Sequence, residues 1–471
     1  MKDEIVARIG FKSGVVEISE DVLCKHTIFI GSTGSGKTTS CNVLLRDLIR
    51  YKADDKERKI ALIVFDFKGD GTLGKIRTWA NECGRSSDVL DFSPDGKFYY
   101  DPLCGFDSLK KLSQFTESIL EVVPEEGERY WQHALRKRIT CVLEYVLFKY
   151  ETPCFEDFLN EIFNFLSRTN ELLYEIGKFE LAIEDILSKT REHRIEYENL
   201  KRRLERLRGV FLEWQSLDSR TKSNETSTIS NLLSAFTNPS VEGLLTKRKH
   251  RLDLDRLVEG GKIAVVSFPA CVDGFSAAVV AKLLKGGFYT ELQKRQNFKR
   301  LAGIIMDEYP LVASCGRFGD GVNLQTIRSK GGFVVAATQG LVSLDMAVGR
   351  ANREQLMLNF NNRFIFRSEE REVKALVDEM NLFSSGSSVG FFPNGLESVS
   401  LNVEEFPTGY AVIKLANGFK TKSPVQLERL FIKSPTPQQP ADNDPLRNCM
   451  DKLRSVAKSF FGQNKCNSIL F

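Results

Sequence analysis

"IFIGSTGSGKTTS", residues 28–40, is an apolar strand that runs into a glycine-rich loop and then into a helix. Gly31, Gly36, Lys37 and Thr38 fill the pattern GxxxxGK[ST]. In such a loop the glycines turn backbone N–H groups toward phosphates, and the following helix adds its positive N-terminal end. Lys37 is placed to reach the β and γ phosphates and the Thr38 hydroxyl to hold Mg²⁺. The whole loop, Gly31, Ser32, Thr33, Gly34, Ser35, Gly36, Lys37, Thr38 and Thr39, is expected to cradle the nucleotide. There is no [NT]KxD stretch for guanine and no LSGGQ-like run, so ATP with Mg²⁺ is the expected cofactor pair.

The flanks set the fold. Upstream, "EIVARIG" and "VVEIS" alternate apolar and polar around "FKSG", which reads as a β-hairpin laid against the core. Downstream, "CNVLLRDLIRY" has helical period, and "KIALIVFDFKGDG" and "SDVLDFSPDG" are apolar strands closed by turn residues. Strand, loop, helix, strand is the mark of a largely parallel α/β sheet. From about residue 106 to about residue 251 the period becomes helical, as in "YWQHALRKRITCVLEYVLF" and "IEYENLKRRLERLRGVFLEW". Strands resume at residues 262–268, 301–308, 331–339, 363–367 and 409–415. The expected organisation is an α/β core in two parts, 1–105 and 252–432, interrupted by an all-α insertion over 106–251. Residues 433–471 are read as a Pro-rich linker, "KSPTPQQPADNDP", and a short amphipathic helix.

Two further strand ends carry polar groups. "LAGIIMDEYP" puts Asp307 at the carboxyl edge of a buried strand, where it can hold a magnesium-bound water, and Glu308 beside it to orient or deprotonate the attacking water. "FVVAATQ" ends in Thr338 and Gln339, and an amide there can bond the γ-phosphate and lose that bond on hydrolysis. Arg328, eleven residues before Gln339, reads either as an arginine finger acting on a neighbour's nucleotide or as a surface ion pair.

Composition narrows the class without naming a partner. The 471 residues are 42% hydrophobic and 27% charged, those of a globular protein, and the net charge of +4 argues neither for nor against nucleic acid. Ten cysteines without a CxxC pair read as reduced thiols, not as a disulfide or zinc framework. The four histidines lack ligand spacing, and His26 reads as a packing or capping residue. No apolar run approaches a membrane span and the N-terminus lacks signal-peptide order, so a cytoplasmic protein without direct membrane insertion is expected.

Seven stretches in order resemble the TraG/TraD-like coupling proteins of type IV secretion, within the HerA/FtsK class of P-loop DNA-pumping ATPases. They are "HTIFIGSTGSGKTTS", "FDFKGDG", "STISNLLSAFTNPSVEGLL", "GKIAVVSFP", "IIMDEYPLVAS", "TIRSKGGFVVAATQGLVSL" and "NFNNRFIFRSEEREVKALVDEM". The resemblance implies a RecA-like motor domain interrupted by an all-α domain, assembling into a homo-oligomeric ring, usually a hexamer, that moves DNA by ATP hydrolysis. By position it implies that Lys37 and Thr38 are the nucleotide and magnesium residues, Asp307 and Glu308 the Walker B pair, Gln339 the sensor and Arg328 the trans-acting arginine. Asp66 and Lys68 match a motif commonly written DPKGE, with Phe67 in place of the proline and Asp70 in place of the glutamate. Such relatives commonly begin with transmembrane helices, whereas this chain opens on its own hairpin. Recruitment to a membrane by a separate partner, or a role in mobile-element transfer or defence against foreign DNA, is the expectation that follows.

Two segments are candidate DNA contacts. "ENLKRRLERLRG" is dense in cations, yet Leu200, Leu204 and Leu207 at helical spacing also read as an amphipathic helix packed inward. "CGRFGDGVNLQ" offers Arg317 either as a pore-loop cation or as part of a glycine-rich surface loop. A rival function uses the same loop: an ATP-gated assembly module that recruits a protein partner through the helical insertion or the C-terminal helix without moving along DNA.

Overall fold

A computed structural model describes residues 4–427 apart from 12–13, 70, 105–115, 117–118, 121–128, 190–193, 247–249, 269–271, 297, 317–318, 380–389, 393–394, 398–401 and 422–423. Asp70, Arg317, the Pro-rich linker and the C-terminal amphipathic helix lie outside the described residues.

The first strands, β1 (Ile5–Phe11) and β2 (Gly14–Ser19), pair antiparallel as a hairpin. It is tied to the helix Lys37–Arg50 and the turn after it. The Arg8 N–H donates to Asp47 Oδ2 at 3.0 Å, while Tyr51 Oη and the Arg58 guanidinium both bond Glu4 and Glu20. Glu4 therefore titrates low, at about 2, through hydrogen bonds from Lys52 first and Arg58 second.

The remaining strands are β3 (Thr27–Ile30), β4 (Ala61–Asp66), β5 (Val89–Phe92), β6 (Phe98–Tyr99), β7 (His250–Arg251), β8 (Ile263–Ser267), β9 (Ala302–Met306), β10 (Gly332–Thr338), β11 (Asn362–Ile365), β12 (Gly390–Phe392), β13 (Gly395–Glu397), β14 (Tyr410–Lys414) and β15 (Val425–Gln426). Nine of them form one sheet in the order β15-β14-β11-β3-β10-β9-β4-β8-β5. Every pairing from β11 to β5 is parallel, and β14 and β15 extend the β11 edge antiparallel. The sheet is the RecA-like P-loop core expected from the sequence. Its central strands are buried at every position in β3, β4, β9 and β10, because helices cover both faces of a parallel sheet and leave no polar side. Gly303 interrupts β9 because Phe333, its partner on β10, lies across it; a Cβ there would stand 2.3 Å from the Phe333 ring.

The order of the strands decides where the chemistry goes. β10 lies between β3, which feeds the phosphate loop, and β9, which ends one residue before Asp307. Loop, carboxylates and Gln339 thus emerge from the carboxyl ends of three adjacent parallel strands, where ligands of open α/β sheets bind.

Residues 129–237 form five helices, Arg129–Lys149, Phe155–Ser167, Thr169–Lys189, Arg194–Ser216 and Ser219–Thr237. The two-residue parallel pair β6–β7 brackets them in the chain. Their interior is aromatic: Phe165 packs tilted against Phe211 and Trp214 with ring centroids 5.0 and 4.9 Å away, and Arg138 is buried against Glu225 at 3.0 Å with its guanidinium over Trp214. One hydrophobic cluster runs from the sheet into these helices, with Ser219–Thr237 packing on Gly274–Lys294. Among the described residues no helix is long and apolar enough to cross a membrane.

Candidate nucleotide site

The phosphate loop is held from three sides by backbone. Gly31 N–H donates to Thr338 O at the end of β10, Ser32 N–H and Oγ donate to Arg367 O just beyond β11, and Gly409 N–H, before β14, donates to Ser35 O at 2.8 Å. Gly36 has φ +109, and a Cβ on it would meet Gly409 Cα at 2.9 Å, so only glycine satisfies both the backbone and the contact. Because Gly36 is also the N-cap of helix Lys37–Arg50 and has no side chain to cap it, the first N–H groups of that helix stay open toward the loop.

Lys37 is buried inside this loop, its Nζ donating to Gly31 O at 2.6 Å and Ser32 O at 2.9 Å. Burial pushes its pKa below the usual lysine value, Lys68 adds to that, and Asp307 and Glu308 partly offset both. A buried ammonium satisfied only by carbonyls is ready to exchange them for phosphate oxygens.

Thr38 Oγ1 donates to Asp307 at 3.2 Å, joining the helix start to the end of β9. Lys68 Nζ stands 2.7 Å from Asp307 Oδ2 and 2.9 Å from Glu308 Oε1. Burial works against the Lys68 charge, but its hydrogen bonds and ion pairs with the two carboxylates outweigh it and raise its pKa above the usual lysine value. Gln339 closes the ring of contacts: its Nε2 donates to Glu308 Oε1 at 3.3 Å and its Oε1 accepts from Thr33 Oγ1 at 3.1 Å. The backbone that presents Gln339 is fixed from behind, since Thr338 Oγ1 donates to Gly340 O and Leu341 N–H donates to Glu370 Oε2 at 2.7 Å.

These groups surround a pocket of about 320 Å³, which is within the range of small-ligand sites. The donor set fits a nucleotide with magnesium. A hydroxyl and carboxylate oxygens at one point suit a hard divalent cation, and an ammonium with open helix N–H groups suits phosphate. Among the described residues buried Ser35 Oγ has no hydrogen-bond partner, so the loop keeps a polar atom in reserve. The structure brings Lys37, Thr38, Asp307, Glu308 and Gln339 together.

Sequence reasoning missed part of the pocket wall. Thr408, Gly409 and Leu427 line it from the antiparallel edge, and Leu427 also bridges to Phe11 of the hairpin. The one local signal was a glycine before a strand in "TGYAVIKL", with nothing to say that it faces residue 36.

Arg328 is not brought to this pocket by its own chain. It lies in the turn before β10, so the seven-residue strand, roughly 23 Å at the rise of a β-strand, separates it from the Gln339 end. It is half exposed and its nearest acid is Asp21 at 3.7 Å. His26 is a packing residue: Val334 N–H donates to its Nδ1 at 3.1 Å, so Nε2 carries the proton and donates to Leu324 O at 2.7 Å. The basic segment on helix Arg194–Ser216 spends much of its charge internally. Lys201, Arg203 and Arg208 pair with Glu184, Glu144 and Glu180, and Leu204 and Leu207 are fully buried.

The family model of the HerA helicase central domain matches residues 14–75, the stretch from β2 through the Lys68 turn. Among solved structures the chain is similar to the unbound bacterial conjugative coupling protein TrwBdeltaN70, at TM-score 0.58 and 17% identity over 93% of this chain and 91% of that one. It is similar to plasmid coupling protein TrwB in complex with the ATP analogue ADPNP, at TM-score 0.59 and 16% identity over 93% and 92%. VirB4 of Thermoanaerobacter pseudethanolicus follows at TM-score 0.52 and 11% identity over 92% and 98%. No curated protein matches the sequence. At these identities the structural likeness shows the fold. Together with the matched HerA segment it supports the resemblance to TraG/TraD-like coupling proteins within the HerA/FtsK class.

Proposed function

We propose that the protein is a Mg²⁺-dependent ATPase that works as a homo-oligomeric ring, six subunits being the expected number, and uses hydrolysis to move DNA. The observation that carries the reading is the meeting of Lys37, Thr38, Asp307, Glu308 and Gln339 at the carboxyl edge of three adjacent strands. The matched HerA segment and the likeness to coupling proteins, one of them bound to ADPNP and another to ADP and Mg²⁺, support the choice of nucleotide and of DNA as cargo.

The residues divide the work. Lys37 exchanges its carbonyl partners for phosphate oxygens and neutralises charge that develops on them. Thr38 and Asp307 are the residues that would hold Mg²⁺, which when bound supplies charge neutralisation at the phosphates. Glu308 accepts the proton of the attacking water, and Gln339 holds the Glu308 carboxylate and Thr33 in one arrangement. Arg328, far from its own pocket and half exposed, is assigned to a neighbour's nucleotide, which makes the ring a condition of turnover. The protein is assigned to the cytoplasmic side, with a separate partner recruiting it to a membrane where one is involved.

The test is ATPase rate against protein concentration with no DNA, single-stranded DNA and double-stranded DNA, for the wild type, Lys37→Ala and Arg328→Ala. The ring motor predicts stimulation by DNA, a rate per subunit that climbs with concentration, and an Arg328→Ala variant that binds ATP without hydrolysing it. Hydrolysis indifferent to DNA, with Arg328→Ala equal to wild type, would instead favour an ATP-gated assembly module.

A further inference from the structure

Lys68 is carried by the turn between β4 and the helix Thr72–Glu82. Asp66, nearly fully buried at the end of β4, accepts the Gly69 N–H at 2.9 Å and so closes the turn. Phe67 is clamped between Phe65 and Phe268, with ring centroids 6.1 and 5.6 Å away. Gly69 and Gly71 take φ +61 and +83, and they let the chain reverse directly after Lys68. Because β4 is the sheet neighbour of β9, the Lys68 side chain, which is 40% exposed, can reach across the end of β9. There it bonds both Asp307 and Glu308, and Asp307 is the carboxylate that Thr38 also bonds. Two adjacent carboxylates in a half-covered pocket repel each other, and one ammonium between them relieves that repulsion as a divalent ion would.

We propose that Lys68 is a tethered counter-cation: it holds the Asp307 and Glu308 carboxylates when nucleotide is absent, and yields them when a divalent cation enters with the nucleotide. The inference rests on reading Asp307 and Glu308 as metal-facing. Two consequences follow. Free divalent ions are kept off the empty site, so metal arrives with nucleotide. Departure of Lys68 also frees Glu308 for the attacking water and loosens the Asp66–Gly69 turn, which gives the neighbouring strand a report of occupancy. Lys68 is a positioning residue in this account, acting through the two carboxylates.

The test uses Mn²⁺ alone as probe, its binding to the nucleotide-free full chain read by electron paramagnetic resonance. Lys68→Gln is expected to bind Mn²⁺ roughly tenfold tighter than wild type or more, the modest end of what removing one competing unit charge at ion-pair distance yields. The double variant Lys68→Gln/Asp307→Asn should lose the gain, and Lys68→Arg should stay weak. Equal Mn²⁺ affinity in Lys68→Gln and wild type, or a gain that survives Asp307→Asn, overturns the proposal. Hydrogen exchange on the unaltered protein is an independent arm: amides of residues 67–69 should exchange about threefold faster or more with Mg²⁺–ADPNP than with ADPNP in EDTA. Unchanged or slower exchange there overturns it equally. Neither arm needs DNA or turnover, so a protein that passes both yet shows no DNA-stimulated hydrolysis would sink the motor and leave the counter-cation standing.

Discussion

Gln339 Nε2 lies 3.3 Å from Glu308 Oε1, while Lys68 Nζ holds that same oxygen at 2.9 Å. The carboxylate assigned to the attacking water is therefore pinned by an amide and an ammonium before any nucleotide enters. Its neighbour Asp307 is pinned by Lys68 and Thr38. A base held this way is positioned but occupied, which separates binding from hydrolysis.

Glu308→Gln should keep ATP affinity within about threefold and lower the hydrolysis rate by about 10² to 10⁴, the usual contribution of a positioned general base. Gln339→Ala should also spare binding and cost about 10-fold to 100-fold in rate, because Glu308 loses the amide that orients its carboxylate. Fluorescent-nucleotide titration and steady-state kcat separate the two effects. A Glu308→Gln variant that hydrolyses at the wild-type rate removes Glu308 from the mechanism.

Gly36→Ala is expected to lose nucleotide binding. Its φ of +109 costs a non-glycine residue about 1–3 kcal/mol, and its Cβ would also drive Gly409 away from the loop. Gly34→Ala, at φ +75 but with no atom within 4 Å of the new Cβ, should bind nucleotide and lose about 1 kcal/mol of stability. Comparing the two by calorimetry separates backbone strain from the Gly409 contact.

Burial pushes the His26 imidazole down to about 4, with its hydrogen bond to Leu324 opposing and Arg328 adding to the shift. The folded protein thus refuses a proton that the unfolded chain accepts below its ordinary value of about 6.5. Stability from this group is present in full above that value and is lost as pH falls toward 4, by up to about 3 kcal/mol. Urea denaturation between pH 7 and pH 4.5 should show the slope, and His26→Gln should flatten it. An unchanged slope in His26→Gln would assign the pH dependence elsewhere.

Asp320 is fully buried behind the catalytic edge and accepts from Lys285 Nζ at 2.7 Å, Tyr289 Oη at 2.7 Å, Tyr309 Oη at 3.0 Å and Ser314 N–H at 3.0 Å. Lys285→Met leaves that charge buried without its counter-ion and should destabilise by about 3–5 kcal/mol. Tyr309→Phe removes a single neutral donor to the charge and should cost about 1–2 kcal/mol. Chemical denaturation of both variants gives the order; a Lys285→Met variant as stable as wild type would mean that the charge is not what the pocket holds.

Much of the fold was legible because parallel strands buried on both faces must be apolar throughout, and runs such as "ALIVF" and "FVVAAT" have no other home. β14 was expected as a strand, but its antiparallel pairing was not, since direction is a property of the partner. The two-residue strands β6, β7 and β15 are too short to leave a pattern. Four of the helices between residues 129 and 216 had a legible helical period, whereas Ser219–Thr237 fell only within the general helical reading of residues 106–251. That their cations pair inward with Glu144, Glu180 and Glu184 depends on which helix lies alongside, and a single helix cannot show it.

The same division holds at the site. The pattern GxxxxGK[ST] between strand and helix pointed to phosphate, so Lys37 and Thr38 were expected to lie near an acidic pair and an amide at buried strand ends, and the structure brings these groups together. Strand order was decided only in three dimensions: β10 enters between β3 and β9, and β4 lies beside β9. Those adjacencies put Gln339 on Glu308 and Lys68 on both carboxylates while leaving Arg328 at the far edge, and the pairing of β14 with β11 beside β3 puts Gly409 on Gly36. The physical reason is range. Local sequence fixes backbone conformation and the face that must be buried, whereas the meeting of groups from about 30 to about 370 residues apart is set by which strands share hydrogen bonds.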